Sequence, residues 1–368
     1  MKIVLDVSGG DHAPQATVAG AVQAARELGV EVVLAGDEQM VRAELAKHNA
    51  AGLRLPIVHA PEVIDMTDHA GQAARRKKAS PVAVGLRMVR DKEAEAFVSA
   101  GHSGATMAGA VLIVGRVPGI ERPCLAAPFP SVGGNLIVAD VGATTDCKPE
   151  YLVQFAHMTS LYAQRVMGIH NPRVALLANG EEATKGDKLV QETHALLQGS
   201  TLNFVGNAEP KDALAGDVVD VLITDGFVGN LFLKQAEAVA KFATVLAKRT
   251  LVPRLFWRVT LGLLPTALLV ALGRSRGRVA LAGLIGGPAL LAAVAAPLAG
   301  LRTVLDYRAG GGAPLLGVNG VVIIAHGKSD AVAVANAIRR AKEAVEGGLV
   351  AAITDADQHV QISATLAA

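Results

Sequence analysis

Seven short β-branched runs punctuate the first 230 residues: IVLDV, EVVLAG, AFVSA, NLIVADV, RVALLA, NFVG and VVDVLITD. Each leads into a glycine or aspartate turn. Helix-like stretches follow most of them, at 15–28, 38–48, 81–91, 104–115, 150–168 and 186–198. A strand–turn–helix unit repeated in this way leaves few options: an α/β fold built on a largely parallel sheet. The strands are apolar throughout rather than alternating, so the sheet is expected to be covered on both faces. The same grammar returns late in the chain. A glycine-rich loop at 308–320 leads to the strand VVIIAHG at 321–327 and a helix over about 329–346.

The intervening segment is of another kind. Between Lys241 and Arg308 there are ten basic residues and one acid, Asp306. With a net charge of +2 for the whole chain, this segment's +9 (ten bases minus one acid) leaves about −7 elsewhere. It also holds the uncharged stretches 259–273 and 279–301. The expected organisation is an α/β core over 1–240, a basic apolar helical insert over 241–308, a return to the core over 309–346 and a tail over 347–368. As a helix, 279–301 would measure roughly 34 Å, enough to span a bilayer. A single crossing would, however, put the loops on either side of the insert on opposite sides of the membrane. The insert is therefore expected to form a protruding helical hairpin whose apolar tip dips into one leaflet. Phe256 and Trp257 would sit at headgroup level and the arginines would flank the apolar runs. A buried dimer interface, or a basic face for an acidic protein partner, are the other readings of the same segment.

Several classes are disfavoured. Aromatic residues make up 3% of the chain, which offers little to stack on bases, and no nucleic-acid partner is expected. The two cysteines, Cys124 and Cys147, lack metal-site spacing and fit reduced thiols in a cytoplasmic protein. Asp6 ends the first apolar run too early for a signal peptide. No GxGxxG follows the first strand, no HExxH or GxSxG occurs, and HGKS at 326–329 has Val322 where a P-loop needs its leading glycine.

What remains is a set of polar, glycine-rich turns where strands end, the usual place for ligands in parallel sheets. DVSGGDHAP (6–14) offers Gly9 and Gly10 for close backbone approach, with Asp11 and His12 beside them. SAGHSGA (99–105) presents free N–H groups from Gly101 to Gly104, with the Ser103 hydroxyl. TDGFVGN (224–230) and GGAPLLGVNG followed by His326 and Gly327 are the others. NGEEATKGD (179–187) is a charged cluster, while ARRKKASP (74–81) reads as a solvated helix face. The pattern suits an anion, bound without metal or serine triad. Inorganic phosphate fits, since it is already ionised at neutral pH and needs positioning more than activation.

These blocks, with DVGATTDCKPE (140–150), resemble in order those of the bacterial phosphate acyltransferases of the PlsX type, over about 1–240 and 306–345. The resemblance implies a three-layer α/β/α fold with one mixed, largely parallel sheet, like isocitrate dehydrogenase and phosphotransacetylase, in a homodimer. It implies transfer of an acyl group from acyl carrier protein to inorganic phosphate, with no cofactor, in phospholipid synthesis. It also implies a cytoplasmic enzyme peripheral to the membrane that hands acyl phosphate to a membrane glycerol-3-phosphate acyltransferase. Departures from the family pattern fall at Val7, Ser8, His102, Ser103, Thr144 and Thr145. On this footing phosphate is expected on Gly101, His102, Ser103 and Gly104, opposite Gly9, Gly10 and Asp11. Lys185 is the expected cationic clamp. Asn230 and Asn319 would hold the thioester oxygen or the pantetheine arm, with Asp225 and Gly226 beside them, and His12 or His326 would protonate the leaving thiolate. A phosphate acetyl- or butyryltransferase using acyl-CoA is the nearest alternative, and a non-catalytic membrane-associated scaffold another.

Overall fold

A computed structural model describes residues 1–271 and 310–356. The chain divides into two compact units, Met1–Asn230 with Tyr307–Ala368, and Leu231–Asp306.

The first unit carries two sheets. The larger has seven strands in the order β3 (Ile57–His59), β2 (Glu31–Gly36), β1 (Lys2–Asp6), β4 (Ala96–Ser99), β12 (Val321–Ile324), β11 (Ala313–Leu316) and β5 (Cys124–Leu125). From β3 to β12 every pairing is parallel; β11 runs antiparallel to both neighbours. The smaller sheet has five strands in the order β6 (Ala127–Ser131), β7 (Gly134–Ala139), β10 (Val221–Ile223), β8 (Val174–Leu177) and β9 (Phe204–Ala208). Here only the edge pairing β6–β7 is antiparallel. The mixed, largely parallel α/β class is thus observed, with the strands shared between two sheets rather than held in one. The change of sheet falls within a single extended run: β5 and β6 are separated by Ala126 alone.

The helices form where capping residues precede apolar-periodic stretches. Asp37 caps α2 (Glu38–Leu45) through Met40 N, Ser80 caps α4 (Pro81–Arg90) through Ala83 N, and Asp187 caps α7 (Lys188–Gln198) through Val190 N. Asp330 does the same for α10 (Ala331–Glu346) through Ala333 N. This last helix lies against α1 (Gln15–Leu28), and its buried alanines let the two approach closely. The remaining helices of this unit are α3 (Ala70–Arg76), α5 (Ser103–Gly109), which continues into a π-helical turn over Ala110–Val114, α6 (Pro149–Arg165) and α8 (Pro210–Ala215). The core takes in both sheets and the inner faces of α1, α6 and α10, with Phe97, Phe155 and Tyr162 among its largest fully buried side chains. Residues 349–356, which carry little sequence signal, are helical and set Leu349 and Ile353 in that core.

The second unit begins within α9 (Gly226–Ala271), a 46-residue helix. Of the two apolar runs on which the expected hairpin rests, 259–273 continues α9 as far as Ala271, and 279–301 lies outside the described residues. No described helix is long and apolar enough to cross a membrane.

Candidate active site

Strands β1, β4 and β12 are parallel neighbours, so the loops that follow them leave the same sheet edge. At the end of β1 stands Asp6, 4% exposed. Its Oδ1 accepts from Ser8 N at 3.1 Å, and its Oδ2 accepts the Ser99 hydroxyl, from the end of β4, at 2.8 Å. Ser99 Oγ in turn accepts from Gly101 N at 3.1 Å. One carboxylate therefore ties two of the glycine loops together. Burial pushes the Asp6 carboxyl up to about 6, against the downward pull of the bonds from Ser99, Ser8 and Gly9. The loops touch: a Cβ on Gly9 would lie 2.6 Å from Asp6 Oδ2 and 2.7 Å from Gly101 N. The third loop joins them through Asp11 N, which donates to Gly327 O at 2.7 Å. Gly9, Gly10, Asp11, Gly101 and Gly327 thus converge as expected from sequence.

The residues around this point differ in their duties. His102 caps α5, its Nδ1 accepting from Ala105 N at 3.3 Å while Nε2 faces Asp68 O at 3.1 Å. That pattern assigns the ring proton to Nε2 and gives His102 a structural post at the helix start. Ser103 and His12 are exposed, as is His326, whose Nδ1 accepts from Lys328 N at 3.1 Å.

A second cluster forms on the edge of the five-stranded sheet. Asp140, after β7, is fully buried, and its carboxylate accepts from Leu125 N (2.8 Å), Gly142 N (3.1 Å), Ala143 N (3.0 Å) and Thr144 N (2.6 Å). Burial raises its carboxyl; those four N–H groups pull it back. The loop it organises receives the start of α9: Gly226 N donates to Thr144 O at 2.8 Å, and Asp225 Oδ1 accepts from Phe227 N and Val228 N. A Cβ on Gly229 would stand 1.9 Å from Asp140 O, so only glycine fits there. The Asn230 side chain lies beside Gly142. Asp225, Gly226 and Asn230 therefore belong together. Lys185 is exposed on the loop after β8, a strand paired to β10 on the same sheet. Asn319 falls elsewhere. It sits in the β11–β12 turn, at the opposite end of β12 from His326, roughly 20 Å away along an extended chain.

A cleft of about 750 Å³ lies beside α5 and the loop that Asp140 organises. Gly104, Met107, Val111 and Leu112 line it from α5 and the π-helical turn, and Ala143, Thr144 and Tyr151 face it from the five-stranded side. Arg75, Arg116 and Arg122 also line it, with Glu121 near them. Arg75 belongs to the stretch read from sequence as a solvated helix face. Arg122 and Lys148 each stand 5.9 Å from the centre of the Tyr151 ring. The free thiols do not contribute a nucleophile: burial, aided by Asp140 and Asp225, pushes Cys147 up to about 12, and burial raises Cys124 well above the ordinary thiol range.

Sequence reasoning passed over Asp6, Ser99 and Asp140. A signal for two of them exists, since both IVLD and LIVAD close an apolar strand with an aspartate just before a small-residue turn.

This scaffold is shared with the phosphotransacetylases. The structure of the EutD phosphotransacetylase from Staphylococcus aureus matches with a TM-score of 0.55 at 18% identity, covering 93% of this chain and 94% of that one. A phosphotransacetylase from Streptococcus pyogenes matches with a TM-score of 0.56 at 19% identity, covering 94% of each. At such identities the likeness concerns the fold. Sequence comparison is narrower. A family model described as a fatty acid synthesis protein matches residues 1–268 and 280–352. A phosphate acyltransferase of Herpetosiphon aurantiacus is 58% identical over 366 residues, 98% of this chain and 99% of that protein. One from Pelotomaculum thermopropionicum is 43% identical over 362 residues, 98% of this chain and 96% of that protein. The chain belongs to the phosphate acyltransferase family.

Proposed function

We propose that this enzyme transfers a fatty acyl group from acyl carrier protein to inorganic phosphate, releasing acyl phosphate and the free carrier thiol for phospholipid synthesis. The observation that carries the reading is the meeting of the Gly9, Gly101 and Gly327 loops at one sheet edge, the first two tied through Asp6 and the third through Asp11 N, with Gly104 lining a cleft beside them. The Gly101 N–H is taken by Ser99 Oγ, so the donors offered to a small oxyanion are those of His102 to Gly104, where α5 begins.

A phosphate oxygen attacks the thioester carbonyl carbon; the C–O bond forms, the C–S bond breaks, and the thiolate leaves. The carbonyl oxygen carries negative charge in between and needs fixed donors. Gly101 to Gly104, with the Ser103 hydroxyl, hold phosphate, and Lys185 offsets its charge. Asn230, whose side chain lies beside Gly142, donates to the oxyanion in this reading. His12 and His326 are the exposed histidines at the glycine loops, and either serves as proton source for a thiolate whose parent pKa of about 8.5 already makes it a fair leaving group. In this reading the basic segment 241–308 keeps a homodimeric enzyme on the inner membrane surface, close to the glycerol-3-phosphate acyltransferase that consumes its product.

The test is incubation of acyl carrier protein thioester with phosphate, trapping acyl phosphate as its hydroxamate, with acyl-CoA in parallel. Phosphate-dependent hydroxamate from the carrier-protein donor is expected. Product from acyl-CoA alone would move the assignment to the soluble phosphotransacylase reaction, and product from neither would refute it.

A further inference from the structure

We infer that the cleft beside α5 is the seat of the acyl donor: the wall formed by Met107, Val111 and Leu112 takes the aliphatic chain, and Arg75, Arg116 and Arg122 take the phosphate of the pantetheine arm. The inference rests on the acyltransferase reading above. Three observations carry it. Gly104, the last residue of the loop assigned to phosphate, lines the cleft, and Met107, Val111 and Leu112 continue its lining along α5 and the π-helical turn, so a thioester bound there would lie beside that loop. Its volume of about 750 Å³ is that of a pocket for an extended ligand. Its lining is split by type: Leu112 is left 49% exposed in a groove, while the three arginines, all solvent-exposed, share the lining. An apolar wall with arginines beside it fits a donor that carries an aliphatic chain on one side of its thioester and a phosphate on the other, and the π-helical turn, a common device at functional sites, carries Val111 and Leu112 of that wall. None of the three arginines has an ion-pair partner among the described residues; Arg116 Nη1 donates to Glu121 O, and Arg122 lies over Tyr151.

Leu112→Trp and, separately, Val111→Phe fill the cleft. Each is measured with decanoyl and hexadecanoyl carrier-protein donors beside Val132→Trp, a control at a 93% exposed turn position. Each methylene buried contributes about fourfold to kcat/KM. Losing room for two or more should raise the decanoyl-to-hexadecanoyl ratio at least tenfold in the cleft variants and leave it unmoved in the control. Arg75→Ala and Arg122→Ala should raise KM for the donor about tenfold, equally for carrier-protein and CoA thioesters since both carry the phosphopantetheine, with KM for phosphate unchanged. An active enzyme whose chain-length ratio does not move in either cleft variant overturns the proposal and leaves the acyltransferase reading standing. Loss of phosphate affinity instead of donor affinity, or an effect confined to the carrier-protein donor, removes the arginines from the pantetheine arm. A wild-type enzyme that makes no acyl phosphate from any donor sinks both readings together.

Discussion

Asp6 offers the sharpest quantitative test of the site's construction. Its carboxyl is 4% exposed and raised from 3.8 to about 6, with burial as the main cause. A carboxylate with a raised folded-state pKa destabilises the fold when it ionises, so its contribution is most favourable below 3.8 and declines as pH rises through about 6. The gap between the two values sets the penalty. It grows from about 1 kcal/mol near pH 4.5 to about 3 kcal/mol near pH 8. Asp6→Asn keeps the shape and an acceptor for Ser8 N, and its amide donates to Ser99 Oγ, but it cannot ionise. The fixed cost of exchanging carboxyl for amide cancels when one variant is followed across pH. Urea unfolding of both proteins should therefore show the variant gaining about 2 kcal/mol relative to wild type between about pH 4.5 and 8. A difference that stays flat over that window would show that Asp6 is not held against its ionisation, and the account of how the two glycine loops are joined would fail.

Other perturbations test neighbouring parts. Gly9→Ala should abolish phosphate-dependent turnover, because its methyl would lie 2.7 Å from Gly101 N and force the two loops apart; hydroxamate trapping reads this directly. Gly229→Ala puts a methyl against Asp140 O and should cost at least about 2 kcal/mol in urea unfolding, in line with overpacked cores. Lys185→Ala and Ser103→Ala should each raise KM for phosphate about tenfold, from the loss of one charged or polar contact; unchanged kinetics in both would remove them from the phosphate site. Asp220 forms a fork with Arg173 at 2.8 and 2.9 Å, and the Arg173 side chain and N–H hold its carboxyl below the usual range. Asp220→Asn should cost about 1 kcal/mol at neutral pH, a loss that disappears as pH falls below the ordinary carboxylate range.

The helices and central strands were legible because their signals are local. Asp37, Ser80, Asp187 and Asp330 announce helix starts, and the apolar runs of β1, β2, β4 and β12 are too continuous to be anything but covered strands. What stayed hidden depends on distant partners. Ala313–Leu316 reads as part of a glycine-rich loop, yet it is a strand because β12 and β5 flank it on both sides. Ala127–Ser131 contains Pro128 and Pro130 and pairs on one side only, as an edge strand can. The glycine loops themselves were found from composition. Their fastening was not, since Asp6 and Ser99 are 93 residues apart and neither looks unusual alone. Arg75 reads in sequence like its charged neighbours because spacing along a helix cannot say which basic residue borders a cavity.

The single residue between β5 and β6 has a mechanical consequence. Cys124 and Leu125 pair into the seven-stranded sheet, Ala127 onward into the five-stranded one, and Leu125 N is bonded to Asp140 across the junction. Thr144 Oγ1 adds a second stitch, to Pro123 O at 3.0 Å. The two walls of the cleft are thus keyed to one another at a pivot one peptide long, with both hydrogen bonds on the β5 side of it. An opening of the cleft by rotation about that pivot would spare both bonds, whereas sliding one sheet past the other would break them. The gap at Gly104 would then widen far more than the spacing at Ala126, much as scissors open most at the tips.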